Sequence, residues 1–256
     1  MTGLAGSRGR GRCYTFAASF LGTGCGNMTS ISANLQAVGE RIRQAARAAG
    51  RAPESVALLA VSKTWPAAAV REAAAAGQRA FGENYVQEGC AKVAELAGLD
   101  LEWHFIGPLQ SNKTRPVAEA FDWVHSVDRL KIAERLSAQR DVHRPPLQVC
   151  IQVNVSGEES KSGVAPAEVE ALARAVAALP QLRLRGLMAI PEPSVDPAVL
   201  HARFAELRKL RDRLAEAGLA LDTLSMGMSH DLEAAVAEGA TMVRVGTAIF
   251  GERRKA

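Results

Sequence analysis

Eight short apolar runs of strand length recur along this chain, and nearly every one is followed by a segment of helical character. The runs fall at 56–61, 79–81, 101–106, 122–125, 147–153, 182–188, 223–225 and 242–245. The helical segments between them fall at 66–76, 86–96, 112–120, 128–139, 166–179, 197–217 and 231–238. A further helix, 30–49, precedes the first run, with Ile31, Leu35, Val38 and Ile42 at helical spacing and Gly50 as its stop. Asp128 is placed to cap the helix that runs to Gln139. Strands that alternate with helices form a parallel sheet, either closed into a barrel or open and doubly wound. The chain has 256 residues, close to the typical length of about 250 for one barrel. No G-x-G-x-x-G follows the first strand, which argues against an open dinucleotide-binding sheet. The expected fold is α/β, a single (β/α)8 TIM-type barrel with an extra N-terminal helix.

Residues 1–27 stand apart from this pattern. They are rich in Gly, Ser and Arg and contain no acidic residue. They read as a disordered or non-native extension, with Met28 as the expected start and 28–256 as the barrel domain. The net charge of +4 is concentrated at Arg8, Arg10 and Arg12 and at Arg253, Arg254 and Lys255, without interleaved aromatics. Nucleic-acid binding is therefore not expected. No stretch approaches the roughly 20 apolar residues of a membrane span. The four cysteines, Cys13, Cys25, Cys90 and Cys150, form no C-x-x-C pair and no zinc-spaced cluster. A reducing, cytoplasmic setting fits that usage.

In a barrel of this kind the residues just past each strand gather on one face. Lys63 lies there, between the buried run 56–61 and Pro66. A lysine in partly apolar surroundings loses proton affinity, and its neutral amine can form a Schiff base with a carbonyl. The same position also suits a lysine that merely lies along a strand end. Asn84 and Tyr85 follow strand two, and His104 lies on strand three, where a core histidine is as reasonable as a ligand. Gly107, Gln110, Asn112 and Lys113 come after strand three, and Asn154, Ser156, Gly157 and Lys161 after strand five. Lys113 and Lys161 read either as loop lysines or as a second cofactor site.

The last two loops are richest in anion-binding features. Ser225, Gly227 and Ser229 lead into a helix near Asp231, and Gly246 and Thr247 follow strand eight. Glycines let backbone N–H groups approach an anion, hydroxyls add donors, and barrels commonly build phosphate sites from these two loops. Arg244 lies inside the apolar strand 242–245, where an unpaired charge would be costly. An amine for a Schiff base, a phosphate site and a permanent cation between them point to pyridoxal 5′-phosphate. An arginine beside the pyridine nitrogen would leave that nitrogen unprotonated and the electron sink weak.

Eight stretches carry a family resemblance: LLAVSKTWP (58–66), FGENYVQE (81–88), WHFIGPLQSNK (103–113), HSVD (125–128), QVNVSGEESKSG (152–163), LRGLMAIP (184–191), LSMGMSHD (224–231) and VRVGTAIFGER (243–253). Together they resemble the pyridoxal phosphate homeostasis family, barrels of the alanine racemase-like fold type III. The resemblance implies that Lys63 carries the Schiff base. It implies that Ser225, Gly246 and Thr247 hold the phosphate with help from Gly227, that Arg244 faces the pyridine nitrogen, and that Asn84 lies near the cofactor. Racemases of this fold append a β-domain and take a catalytic tyrosine from a dimer partner. The chain ends at Ala256, soon after the eighth strand, so no C-terminal β-domain is expected. Tyr85 is the only tyrosine near the expected rim and reads as packing beside Asn84.

The expected function is therefore that of a monomeric pyridoxal phosphate-binding protein without efficient catalysis. It would buffer the cofactor inside the cell and deliver it to apo-forms of pyridoxal phosphate enzymes. The alternative is a low-activity amino-acid racemase using the same cofactor. A third reading is a phosphosugar or nucleotide-phosphate barrel enzyme using Lys63 in an aldolase-like role.

Overall fold

The computed structural model of the chain describes residues 30–156 and 162–252. The readings placed on residues 1–27, Gly157, Lys161 and the 253–255 tail lie outside the described residues. The chain opens with α1 (Ile31–Ala48), whose Ser30 Oγ accepts the Ala33 N–H as an N-cap. The strands and helices then alternate: β1 (Ala57–Val61), α2 (Ala67–Ala75), β2 (Ala80–Glu83), α3 (Val86–Glu95), β3 (Glu102–Phe105) and α4 (Thr114–Ala120). They continue as β4 (Trp123–Val127), α5 (Leu130–Gln139), β5 (Leu147–Gln152), α6 (Val169–Ala177), β6 (Leu182–Met188) and α7 (Pro197–Glu216). β7 (Thr223–Ser225), α8 (Leu232–Ala237), β8 (Met242–Val245) and α9 (Thr247–Phe250) complete the order.

All eight strands pair in parallel and in sequence, and β1 pairs with β8, with Leu59 opposite Arg244, to close the barrel. The strands read as continuous apolar runs because both faces are covered. Outward residues such as Phe81, Phe105, Val124, Ile151 and Val243 join the main core under the helices. Leu59, Val61, Ile106 and Met242 form a separate cluster, and Trp123, Cys150 and Met188 form another. The side-chain period of two along each strand places these on the inner face.

α1 completes the outer ring. Among the described residues β8 is followed by one helix, the four-residue α9, and α1 packs against α8, α9 and α2 beside it. Leu35, Val38, Ile42, Ala45 and Ala46 are its buried stripe. Asn34 Nδ2 donates to Ile249 O at 2.8 Å, and Arg41 makes a two-pronged pair with Glu233 and donates to Ser229 O. The first helix thus pins the loops that follow β7 and β8.

Some details depart from expectation. β4 runs on to Val127, so Arg129 takes the N-cap position of α5 and Asp128 does not cap it; the Asp128 carboxylate instead pairs with Arg129. α9 is an element the residue pattern does not announce. Among the described residues no helix is long and apolar enough to cross a membrane.

Candidate functional site

The seven expected ligands come from four neighbouring strands, β7, β8, β1 and β2, in the order they stand around the barrel. Lys63 is half-buried, two residues beyond the end of β1. Gly246 lies against the end of the same strand: a Cβ there would sit 3.1 Å from Val61 O. Gly227 has φ +92, in the left-handed region that favours glycine, and a Cβ on it would come within 2.5 Å of Ala235 Cβ. Gly227 O accepts the Arg244 N–H at 2.9 Å, tying the two loops together. Asn84 follows β2 directly, and its Oδ1 is buried with no hydrogen-bond partner. Gly107 holds the β3 loop on the Asn84 backbone, since a Cβ there would be 2.1 Å from Asn84 O.

Arg244 is 3% exposed and faces inward from β8. Its Nη1 donates to Ser225 O and Ser225 Oγ, and its Nη2 donates to Ala189 O. Two of the five guanidinium N–H groups then remain for a ligand. Burial lowers its pKa to about 10, so the cation persists at neutral pH.

The Ser225 hydroxyl has two side-chain partners within the protein. It lies fully buried, 2.8 Å from Arg244 Nη1 and 2.9 Å from His125 Nδ1. Its side chain thus sits with Arg244 inside the barrel, at the start of the loop expected to hold a phosphate. The contact continues inward: His125 Nε2 lies 2.9 Å from His104 Nδ1, and His104 Nε2 lies 3.1 Å from Glu102 Oε2. Trp123 Nε1 donates to the other Glu102 oxygen at 2.7 Å. Burial, then the nearby His104 and Arg244, push the His125 pKa well below its ordinary value. The hydrogen bond from His104 holds Glu102 below its usual range.

His104 is thus a satisfied core histidine, as one of its two readings had it. Cys150 is buried, and burial pushes its thiol up to about 12, which suits a packing role. Tyr85 is 54% exposed at the N-cap of α3, so it is not packed away beside Asn84 as expected. His125 was not singled out as a site residue by the sequence reading, nor were Glu83, Glu88 and Lys92, which surround the Lys63 turn. For the acid–base trio the one signal was the Glu88 and Lys92 spacing of four residues on a helix.

A cavity of about 260 Å³ opens on the other arc of the mouth, lined by Ile106, Pro108, Gln152, Ile190, Pro191 and Met228 among others. A larger one of about 430 Å³ lies at the opposite face, among Arg79, Glu102, Asp122 and Gln148 near the strand starts. Barrel chemistry is built at the C-terminal ends of the strands, so size does not mark the site here. Among the described residues no group of three or more His, Cys, Asp or Glu could hold a metal ion.

A parallel barrel with a lysine just past its first strand and an inward arginine in its last is a barrel of the alanine racemase class. A family model described as alanine racemase, N-terminal domain, matches residues 33–254. The pyridoxal phosphate homeostasis protein of Pseudomonas aeruginosa is 68% identical over 226 residues, 88% of this chain and 97% of that protein. The protein of the same name from Escherichia coli K12 is 57% identical over 234 residues, 88% of this chain and 98% of that one. The structure of PipY from Synechococcus elongatus, with PLP bound, is 44% identical with a TM-score of 0.78, covering 87% of this chain and all (100%) of that one. The chain belongs to the pyridoxal phosphate homeostasis protein family, within the alanine racemase N-terminal domain group.

Proposed function

We propose that this chain binds pyridoxal 5′-phosphate as a Schiff base on Lys63, buffers it, and delivers it to apo-enzymes in intracellular vitamin B6 homeostasis. The observation that carries the reading is the arc β7-β8-β1-β2, which sets a half-buried lysine, two glycine loops and a buried arginine side by side. The names of the relatives and the PLP in the PipY structure support the same cofactor. Bound there, the cofactor supplies an aldehyde for an amine and a conjugated ring.

The residues fit it. Lys63 Nζ supplies the amine, and the reaction with the aldehyde releases one water. Gly246 and Thr247, with the Gly227 loop, offer backbone N–H groups and a hydroxyl to the phosphate. Arg244 presents its remaining N–H groups to the pyridine nitrogen, and a cation there disfavours protonation of that nitrogen. Ser225 acts through Arg244 by fixing two of its hydrogen bonds. Asn84 Oδ1, buried without a partner, is an acceptor for a ligand donor group. A site that binds the ring yet weakens its electron sink suits storage better than turnover. The working unit is a cytoplasmic monomer.

The test is the absorbance spectrum of the purified chain with added cofactor, before and after borohydride, beside Lys63→Ala. A visible band that borohydride fixes onto the Lys63 peptide is expected, absent from the variant. A chain that takes up no cofactor overturns the reading. Transfer is checked by recovery of an apo-enzyme while a trap removes free cofactor.

The racemase alternative keeps one observation in its favour: Tyr85, next to Asn84 in the chain, is 54% exposed. Exchange of the amino-acid α-proton in deuterated water at about 1 per second or faster, lost in Tyr85→Phe, would favour it.

A further inference from the structure

Lys63 stands between two residues that one buried ion cluster holds. Lys92, on α3, is 5% exposed, and its Nζ donates to Ser62 O at 2.7 Å, Glu83 Oε1 at 2.7 Å and Glu88 Oε1 at 2.6 Å. That uses all three ammonium protons. Glu83 Oε1 also accepts the Ser62 hydroxyl at 2.6 Å, and Glu88 Oε1 accepts the Thr64 N–H. The peptides on both sides of Lys63 are therefore tied to the same three side chains.

The Thr64 backbone needs such a tie. Its φ is +67, the one left-handed residue other than glycine among the described residues. For a β-branched residue that conformation is an outlier that its surroundings must hold. The approach of α3 to β2 is built for the purpose. Gly89, one residue after Glu88, has room for no side chain, since a Cβ there would be 2.6 Å from Phe121 Cζ and 3.1 Å from Glu83 Cβ. Without a side chain at that point, Glu88 and Lys92 reach the β1 turn.

Stability alone does not account for the cluster. Burial raises the Glu83 pKa against the hydrogen bonds from Lys92 and Ser62, and Glu83 Oε2 is buried without a partner. Apolar side chains of similar volume commonly stabilise a buried position at least as well as an ion group. What apolar residues could not do is grip a carbonyl, a hydroxyl and an amide around one turn.

We propose that Lys92, with Glu83 and Glu88, is a positioning cluster for Lys63, holding the β1 turn so that the Lys63 amine points into the site. The proposal rests on the reading of Lys63 as the reacting amine. Its test uses Glu88→Ala, Glu88→Gln and Lys92→Met in the full chain. The readouts are the rate at which pyridoxal 5′-phosphate becomes borohydride-trappable on the Lys63 peptide and the affinity for pyridoxine 5′-phosphate, which has no aldehyde. Glu88→Ala is expected to slow adduct formation at least tenfold while changing the affinity for the aldehyde-free analogue less than twofold. Glu88→Gln keeps an oxygen for the Thr64 N–H and is expected to restore most of the rate. Lys92→Met, checked for folding by circular dichroism, should be at least as slow as Glu88→Ala. A folded Glu88→Ala with the wild-type rate overturns the proposal while leaving the function intact. Equal losses of rate and analogue affinity in that variant assign the cluster to general stability and overturn it too. A wild-type chain that forms no adduct at Lys63 overturns both readings.

Discussion

His125 Nδ1 and Ser225 Oγ lie 2.9 Å apart, both side chains fully buried in the closed centre of the barrel. With Glu102 held ionised, the contacts fit the following arrangement of protons. Glu102 accepts from Trp123 and from His104 Nε2, so His104 Nδ1 accepts from His125 Nε2. His125 Nδ1 then accepts the Ser225 O–H, and Ser225 Oγ accepts from Arg244. The chain of contacts runs from the half-exposed Glu102 at the start of β3 to the cation at the mouth, with both ring nitrogens of each histidine and the Ser225 hydroxyl engaged.

Replacing His125 with Phe would leave His104 Nδ1 buried without a partner and the Ser225 O–H without its acceptor, while Ser225 Oγ would still accept from Arg244. Each such group costs about 1–3 kcal/mol. His125→Phe is expected to lower unfolding free energy in urea by about 2–5 kcal/mol on that basis, with its β4 neighbours unchanged. A loss under about 1 kcal/mol would mean that the contacts are not held in solution.

The same histidine gives stability a pH dependence. Its folded pKa is depressed, so below the ordinary value of 6.5 an unfolded chain takes up a proton that the folded one refuses. Stability must then fall as pH falls from about 6.5, at up to roughly 1.4 kcal/mol per unit, until the folded pKa is reached. Glu83 opposes this: its raised folded pKa lets the folded chain take up a proton first as pH falls toward 4.5. The difference between wild type and His125→Asn removes that contribution. The variant is expected to lose about 1 kcal/mol less between pH 6.5 and 5.5, read from urea midpoints at each pH.

Much of this was legible in the residues alone, for a physical reason. A strand buried on both faces has to be apolar throughout, so β1, β5, β6 and β8 announce themselves. Charged residues inside such runs are conspicuous, as Arg244 is. β2 was read two residues short because Glu83 looks like a loop residue until its partner is known. That partner is Lys92 on α3, nine residues further on. The inward contact of Ser225 is hidden from the residue pattern for the same kind of reason. Its hydroxyl is claimed by His125, a hundred residues away, and contacts at that separation leave no local trace. α9, at four residues, is shorter than the period that would reveal it.

Gly107 tests how closely the β3 loop must lie on Asn84. An alanine Cβ would meet Asn84 O at 2.1 Å and Asn84 Cα at 2.7 Å. Both are backbone atoms, so relief requires one chain to move. Overpacking of this kind costs about 1–3 kcal/mol. Gly107→Ala is expected to fall in that range by chemical denaturation and to weaken cofactor binding by displacing Asn84. Gly98, where a Cβ would meet nothing within 4 Å, is the control, and its alanine variant should change neither property.

Arg244 separates binding from stability most sharply. Burial moves its pKa from 12.5 to about 10. A shift of that size corresponds to about 3 kcal/mol that the charged, folded form gives up at neutral pH. The sign is fixed by the direction: the arginine is protonated in both states at pH 7, and the penalty fades only as pH rises through about 10. Against it stand hydrogen bonds to Ser225 O, Ser225 Oγ and Ala189 O. Arg244→Met removes the penalty and orphans those acceptors, so the two effects largely offset. The expected net change without cofactor is within about 2 kcal/mol of wild type. Affinity for pyridoxal 5′-phosphate, by contrast, should drop at least tenfold, because the cation beside the ring is gone. Urea unfolding without cofactor and a cofactor titration of the same preparation measure the two quantities. A large loss of stability with unchanged affinity would make Arg244 a structural brace, and the pyridine contact would have to come from another residue.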